Sequence, residues 1–305
     1  MSDIPPVIDE GALSKDAVPA AAFGIRGQTQ FGDIRRRFFR NRLAVIGLAM
    51  VAVVFALAIL APLIAPHDPR AQDLLATQRG PSSAHWFGTD ELGRDQLSRV
   101  IYGSRIALVV GMASIVLALL LGVILGSIAG YRGGKADSVI MRVADAFFAF
   151  PLLIGAILII LVTGRGVVPV ILSIGIFTWA VPARLLRSSI LSVREAEYVE
   201  AARSLGASRW RIVTRHILPN SLAPVLVYGM VSVGTAIVAE TALSFLGVGV
   251  KPDVADWGNM ISAGRAFFGF KDYLWEIPSL AVVFTVLGFV FVGDGLRDAL
   301  DPRLR

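Results

Sequence analysis

Six stretches of this chain hold about twenty residues each that are almost all apolar, and nothing else in the sequence restricts its fold as strongly. A helix rises about 1.5 Å per residue, so roughly 20 residues cross some 30 Å of hydrocarbon. The stretches cover 43–65, 106–129, 143–162, 167–186, 222–246 and 277–296. The third carries Asp145 and the sixth Asp294. Hydrophobic residues make up 55%, charged residues only 17%, and mean hydropathy is +0.69, which fits a chain whose solvent is the bilayer. The expected fold class is an all-α membrane protein with six transmembrane helices.

Flanking charge orients these segments, because Lys and Arg are retained on the cytoplasmic side. With the N-terminus inside, 20 of the 29 Lys and Arg fall on that side, and Arg35, Arg36, Arg37, Arg40 and Arg42 stand directly before the first segment. Both termini are therefore expected in the cytoplasm. The net charge of +6 follows from topology and requires no nucleic acid as a partner. Residues 1–34, rich in Ala, Pro and small polar side chains, read as a disordered cytoplasmic tail without a signal-peptide pattern. Residues 35–65 form an N-terminal anchor with the first span, 66–105 an extracytoplasmic loop, and 106–305 a five-helix core with a large cytoplasmic loop over 184–219.

Within that loop Tyr198, Ala201, Ala202 and Leu205 recur at i, i+3, i+4 and i+7, one face of a short helix. Glu197, Glu200, Arg203 and Ser204 take the opposite face. Gly206 is placed to end the helix, since glycine reaches φ > 0 without a Cβ clash, and a second helix is expected over 207–216. Two readings stand level on spacing alone. Either Ala201 and Ala202 let a partner protein approach closely, or the helix lies on headgroups with its arginines on anionic lipid.

Glu200-Ala201-Ala202, followed by Gly206 and Ile217-Leu218-Pro219, resembles the EAA loop of bacterial binding-protein-dependent ABC importer permeases, with His216 where the usual pattern has Ile. The run Trp86-Phe87-Gly88-Thr89-Asp90-Glu91-Leu92-Gly93-Arg94-Asp95 is similar to the C-type permeases of dipeptide, oligopeptide and nickel importers. So is the terminal Gly293-Asp294-Gly295-Leu296-Arg297-Asp298-Ala299-Leu300-Asp301-Pro302. The resemblance extends from Phe31 to the end. It implies the type I ABC importer permease fold in a bacterial cytoplasmic (inner) membrane. The implied partners are a second homologous permease, two cytoplasmic ATP-binding subunits and an extracytoplasmic substrate-binding protein. It also implies that Tyr198, Glu200, Ala201, Ala202, Leu205 and Gly206 couple to the ATPase. Dipeptides or oligopeptides are the implied substrates, with nickel or another small solute as the alternative. A stand-alone secondary transporter would carry internal repeats and midplane ion ligands, and neither is visible.

Bond chemistry is not expected of this chain. It has no cysteine, and His67, His85 and His216 lie too far apart in sequence to suggest a local metal motif. Gly134-Lys135 lacks the Gly at position 129 and the Ser or Thr at 136 of a phosphate loop, so no cofactor is expected and ATP falls to another chain. Over 86–95, Gly88 and Gly93 permit tight reversals, and Thr89 and Asp90 can cap a helix over 91–102. Asp90, Glu91 and Asp95 read as solvated surface or a dock rather than as ligands. Asp145 and Glu240 are the ionisable candidates for an intramembrane polar or gating role. Asp145 is within helical reach of Arg142, and Glu240 is expected near the outer end of its span, solvated or bordering the gate. Pro151 and Pro182 are expected to kink their spans. The topology is open to cysteine labelling: Ser83→Cys is expected to react with an impermeant reagent from outside and Ser208→Cys to be protected.

Overall fold

The computed structural model describes residues 30–300, and their regular structure is helical apart from one isolated antiparallel bridge between Thr89 and Asp95. Most of the expected tail, and Asp301-Pro302 of the terminal motif, lie outside the described residues. Helix α1 (Gln30–Arg40) leads into α2 (Arg42–Ile64) through Asn41. The Asn41 side-chain oxygen accepts from the backbone N–H of Leu43 (3.0 Å) and of Ala44 (3.2 Å). Two of the four donors left open at a helix start are thereby satisfied. Its amide nitrogen also donates to Asp298 Oδ2 at 3.1 Å, tying this end to the last helix, α13 (Tyr273–Leu300).

Helix α3 (Gln96–Arg132) has 37 residues. At 1.5 Å each that is about 55 Å, well beyond the hydrocarbon thickness, so part of it stands outside the membrane. Contacts along it fix the direction of its neighbours. Leu117 meets Gly175, Gly122 meets Pro182, and Gly130 meets Ile190, so α6 (Val167–Thr178) and α7 (Ala180–Val193) run parallel to α3. Gly111 meets Ile237 and Leu119 meets Gly229, so α11 (Ala223–Phe245) runs antiparallel. In the same way Gly47 on α2 meets Phe291 on α13, and Ala44 meets Gly295. The main core lies where these helices converge, around Val110, Ile174, Ile237 and Leu243.

Two parallel neighbours require a return crossing, and α4 (Gly134–Ala149) with α5 (Leu152–Thr163) supplies it. The span expected over 143–162 breaks at Pro151, where a kink was expected, and its two helices are bent by 92° to one another. Pro151 has no N–H and disfavours helical geometry at the residue before it, and Phe150 is accordingly extended at φ −93°, ψ 127°. Pro182 lies in the first turn of α7, where its missing N–H forfeits little. Among the described residues five helices, with α6 and α7 counted as one run over Val167–Val193, are long and apolar enough to cross by themselves, and the bent pair makes six if it counts as one span. Leu120, Leu161 and Leu280 are 58%, 70% and 66% exposed on the chain's flanks, a surface suited to lipid or another membrane chain.

The α3–α7 contact depends on small residues. A Cβ on Gly126 would stand 2.6 Å from the carbonyl oxygen of Ala183. Gly126→Leu is expected to push the two helices apart and to cost about 1–3 kcal/mol, read as a lowered melting temperature in detergent. Leu120→Ala, on the exposed flank, is expected to leave that temperature nearly unchanged.

Candidate coupling surface and polar network

After α7 the chain turns through Arg194, whose Nη1 donates to the carbonyl of Gly130 at 3.3 Å, so the loop starts beside the end of α3. Helix α8 (Glu197–Ser204) follows, and then α9 (Arg209–Ile212) runs through a π turn at Val213–Ile217 into α10 (Leu218–Ser221). The Ser208 hydroxyl caps α9 by accepting from Arg211 N–H at 3.3 Å. Gly206 has φ +77° and receives the end of α8 through Gly206 N–H to Arg203 O (3.0 Å) and Ala207 N–H to Ala202 O (3.1 Å). A Cβ there would meet nothing within 4 Å, so the backbone conformation, not space, requires the glycine.

One face of α8 is anchored and the other is free. Val199 is fully buried and packs with Ile212, Ile217, Leu186, Ile190 and Val225, which joins α8 to α7 and α11. Spacing did not single out Val199, although it lies three residues before Ala202, which is half-buried on the same side. Tyr198, Ala201 and Glu200 are exposed, Leu205 is 88% exposed, and Trp210 joins them from α9. Ala202 thus leaves the expected outward face and helps seat the helix.

A charged network fills the opposite end of the bundle. Asp90 Oδ1 accepts from the backbone N–H groups of Leu92 and Arg94, both at 2.9 Å, and Oδ2 takes Arg94 Nε at 2.7 Å. Arg99 Nε stands 3.5 Å from the same oxygen. Asp90 is therefore buried and internally committed, not the solvated acid expected, while Glu91 reaches Arg94 at 3.4 Å. Gly93, at φ +73°, makes the turn, where a Cβ would strike Asp73 O. The helix expected over 91–102 begins only at Gln96, because Asp95 caps it by accepting from Ser98 N–H at 2.8 Å. Burial raises the Asp95 carboxyl, but hydrogen bonds from Ser98 and His85 outweigh it and hold the group below the usual carboxylate range.

Glu240 is corrected most. It is fully buried, with Ser244 Oγ donating to Oε1 at 2.9 Å, so it is neither solvated nor open to a path. Beside it lies Asp256, which the sequence reading missed. Asp256 caps α12 (Trp257–Gly264) by accepting from Asn259 N–H at 2.9 Å, and an Asp directly before Trp-Gly-Asn was the available signal. Asp145 pairs with Arg184 of α7, across the helix boundary, and not with Arg142. Arg184 in turn lies 4.4 Å over the Phe148 ring. His67 and His85, remote in sequence, stack at 4.8 Å between ring centroids, and both face Asp95.

Residues 122–305 match the model of the binding-protein-dependent transport system inner membrane component family, more than half of the chain. The chain belongs to that family. Residues 29–81 of this permease match the N-terminal TM domain of oligopeptide transport permease C. It is 40% identical, over 305 residues and the whole of both chains, to the oligopeptide transport system permease protein OppC of Bacillus subtilis. With the dipeptide transport system permease protein DppC of the same organism it shares 38% over 275 residues, 90% of this chain and 86% of that one. Among solved structures, the inward-facing MetNI methionine ABC transporter superposes with TM-score 0.55 at 17% identity, covering 67% of this chain and 97% of that one, and shares the fold. The permease is thus a membrane component of an ABC importer, a family that works with ATP-binding and substrate-binding partners.

The Asp256 carboxyl yields a pH test. Burial pushes it above its ordinary value of 3.8, and its hydrogen bonds only partly offset this. The folded permease then holds that proton more tightly than the unfolded chain, so this group's contribution to stability falls as pH rises from 3.8 through the raised value. Asp256→Asn keeps a helix cap and removes the charge. Its melting temperature relative to the unmodified chain is expected to rise as pH increases above 3.8, and a pH-independent difference would contradict the buried placement.

Proposed function

We propose that this permease imports dipeptides or oligopeptides, with both termini in the cytoplasm and α8 as the element that docks into the ATPase. It pairs with a second homologous permease, and two ATP-binding subunits sit under the pair while a substrate-binding protein delivers cargo outside. The single observation that supports this best is the two-sided α8. Val199 roots the helix in the packing of α7 and α11 while Tyr198, Ala201 and Leu205 remain exposed beside Glu200 and Gly206. A helix seated this way passes a push on its outer face into the apolar cluster that it shares with two membrane-spanning helices. A helix floating on lipid would have no such root. The peptide substrate rests on the relatives, which are oligopeptide and dipeptide permeases. Asp145 and Glu240, held by Arg184 and Ser244, act in this reading as fixed polar struts.

In this reading residues 1–34 form a cytoplasmic tail, 35–65 the anchor and first span, and 66–105 the outer loop. The core is 106–305, and the coupling loop is 184–219.

Gly206→Val tests the coupling assignment. A β-branched residue at φ +77° is strained by about 1–3 kcal/mol, which the turn at the end of α8 must absorb. Membrane insertion is expected to survive. Substrate-stimulated ATP hydrolysis and uptake in reconstituted vesicles are expected to fall about 5- to 150-fold, the range that this strain spans when it acts on coupling. Glu200→Ala, on an exposed face, is expected to be milder. Normal coupled uptake by Gly206→Val, with larger losses on removing Arg209, Arg211 and Arg215, would instead favour a helix that lies on lipid.

A further inference from the structure

The segment between α2 and α3 brings together three side chains that the transport reading does not use. We propose that His67, His85 and Asp95 form a site for a divalent ion of the zinc class, which pins the chain leaving α2 to the start of α3. Their candidate donor atoms all lie within 4.8 Å of one another. His85 Nδ1 stands 2.9 Å, and His67 Nδ1 3.6 Å, from Asp95 Oδ1. Zinc binds nitrogen and oxygen at about 2.0–2.2 Å, so two donors on a tetrahedral ion stand roughly 3.3 Å apart. The two separations bracket that figure and the set spans at most 4.8 Å, so an ion between the three groups replaces the His85–Asp95 hydrogen bond and requires the side chains to draw in by about 1–1.5 Å. At 3.6 Å His67 is too far for a hydrogen bond to Oδ1, yet its nitrogen faces that oxygen, which an ion would explain.

The donors are also held in place independently of any ion. Asp95 Oδ2 is occupied by Ser98 N–H at 2.8 Å and Ser98 Oγ at 2.7 Å, leaving Oδ1 directed at the histidines. The same Ser98 hydroxyl accepts from the backbone N–H of His67 at 3.0 Å. His85 N–H donates to Ser82 Oγ at 3.1 Å, and His85 O accepts from Ser82 and Gly88 N–H, each at 2.9 Å. Ser98 orients the Asp95 ligand as such partners do in metal sites, and the backbone bonds fix the segments that carry the two histidines. Two imidazoles with one carboxylate suit zinc, cobalt or nickel, whereas calcium and magnesium seek more oxygens. His67 is 42% exposed along its side chain and borders a cavity of 800 Å³, so an ion can approach from that side.

The test is a Zn²⁺ titration of the purified full chain in detergent, prepared without a polyhistidine tag, together with visible absorption on adding Co²⁺. The chain contains only three histidines and no cysteine, so background sites are few. One Zn²⁺ per chain and the d–d absorption of low-coordinate Co²⁺ are expected. His67→Gln and His85→Gln each retain an amide beside Asp95, and each is expected to weaken Zn²⁺ at least about tenfold and remove the Co²⁺ band. His216→Gln is expected to change neither. The exposed position of His67 makes its variant safe for folding, which metal-free melting checks. Absence of Zn²⁺ binding by the unmodified chain, or binding by His85→Gln as tight as its own, would overturn the site.

Discussion

Hydrocarbon offers the backbone no hydrogen-bond partner, and most of this architecture follows from that one restriction. Helices satisfy their own N–H and C=O groups and are the economical answer for each apolar segment. Lipid tails are as apolar as leucine, so the helices gain little from mutual burial alone and rely on close backbone approach. Gly111, Gly122, Gly126 and Gly130 provide that approach along α3, bringing Ile237, Pro182, Ala183 and Ile190 against the helix. A single long helix thus organises both a parallel and an antiparallel neighbour. The parallel arrangement in turn forces the bent α4–α5 crossing.

The two ends of the bundle solve opposite problems. At the α8 end, apolar side chains are left outside while one valine is sunk into the core. At the other end, charges are drawn inside. Asp90, Arg94, Arg99, Glu240 and Asp256 are all buried, and they link the loop before α3 to α11 and the start of α12. The Asp90–Arg94 pair among them adds little net stability, but removing one of those two strands the other at a cost of roughly 3–5 kcal/mol. Such a block resists deformation. In the proposed coupling reading, motion imposed at α8 meets that block.

The apolar segments and the turn at Gly206 were legible in the sequence because each depends on local composition or on a residue whose backbone freedom is unique. The apolar run over 143–162 misled, since its hydropathy is continuous and only Pro151 marks the break. Asp145 was matched with the wrong arginine because helical spacing proposes partners within a helix, and Arg184 arrives from another. The same blindness hid the pairing of Glu240 with Asp256 and the convergence of His67, His85 and Asp95. Those groupings come from packing of distant segments, which no local pattern encodes.

The tie between Asn41 and Asp298 has a consequence for biosynthesis. It joins the start of the first long helix to the end of the last, and Gly47 and Ala44 of α2 are filled by Phe291 and Gly295 of α13. A ribosome adding about 5–20 residues per second needs roughly 10–50 s to make the intervening chain. Throughout that interval α2 sits in the bilayer with a vacant groove and half of its clasp missing. Closure of the α2–α13 contact therefore waits until α13 has been made, long after α2 has entered the bilayer.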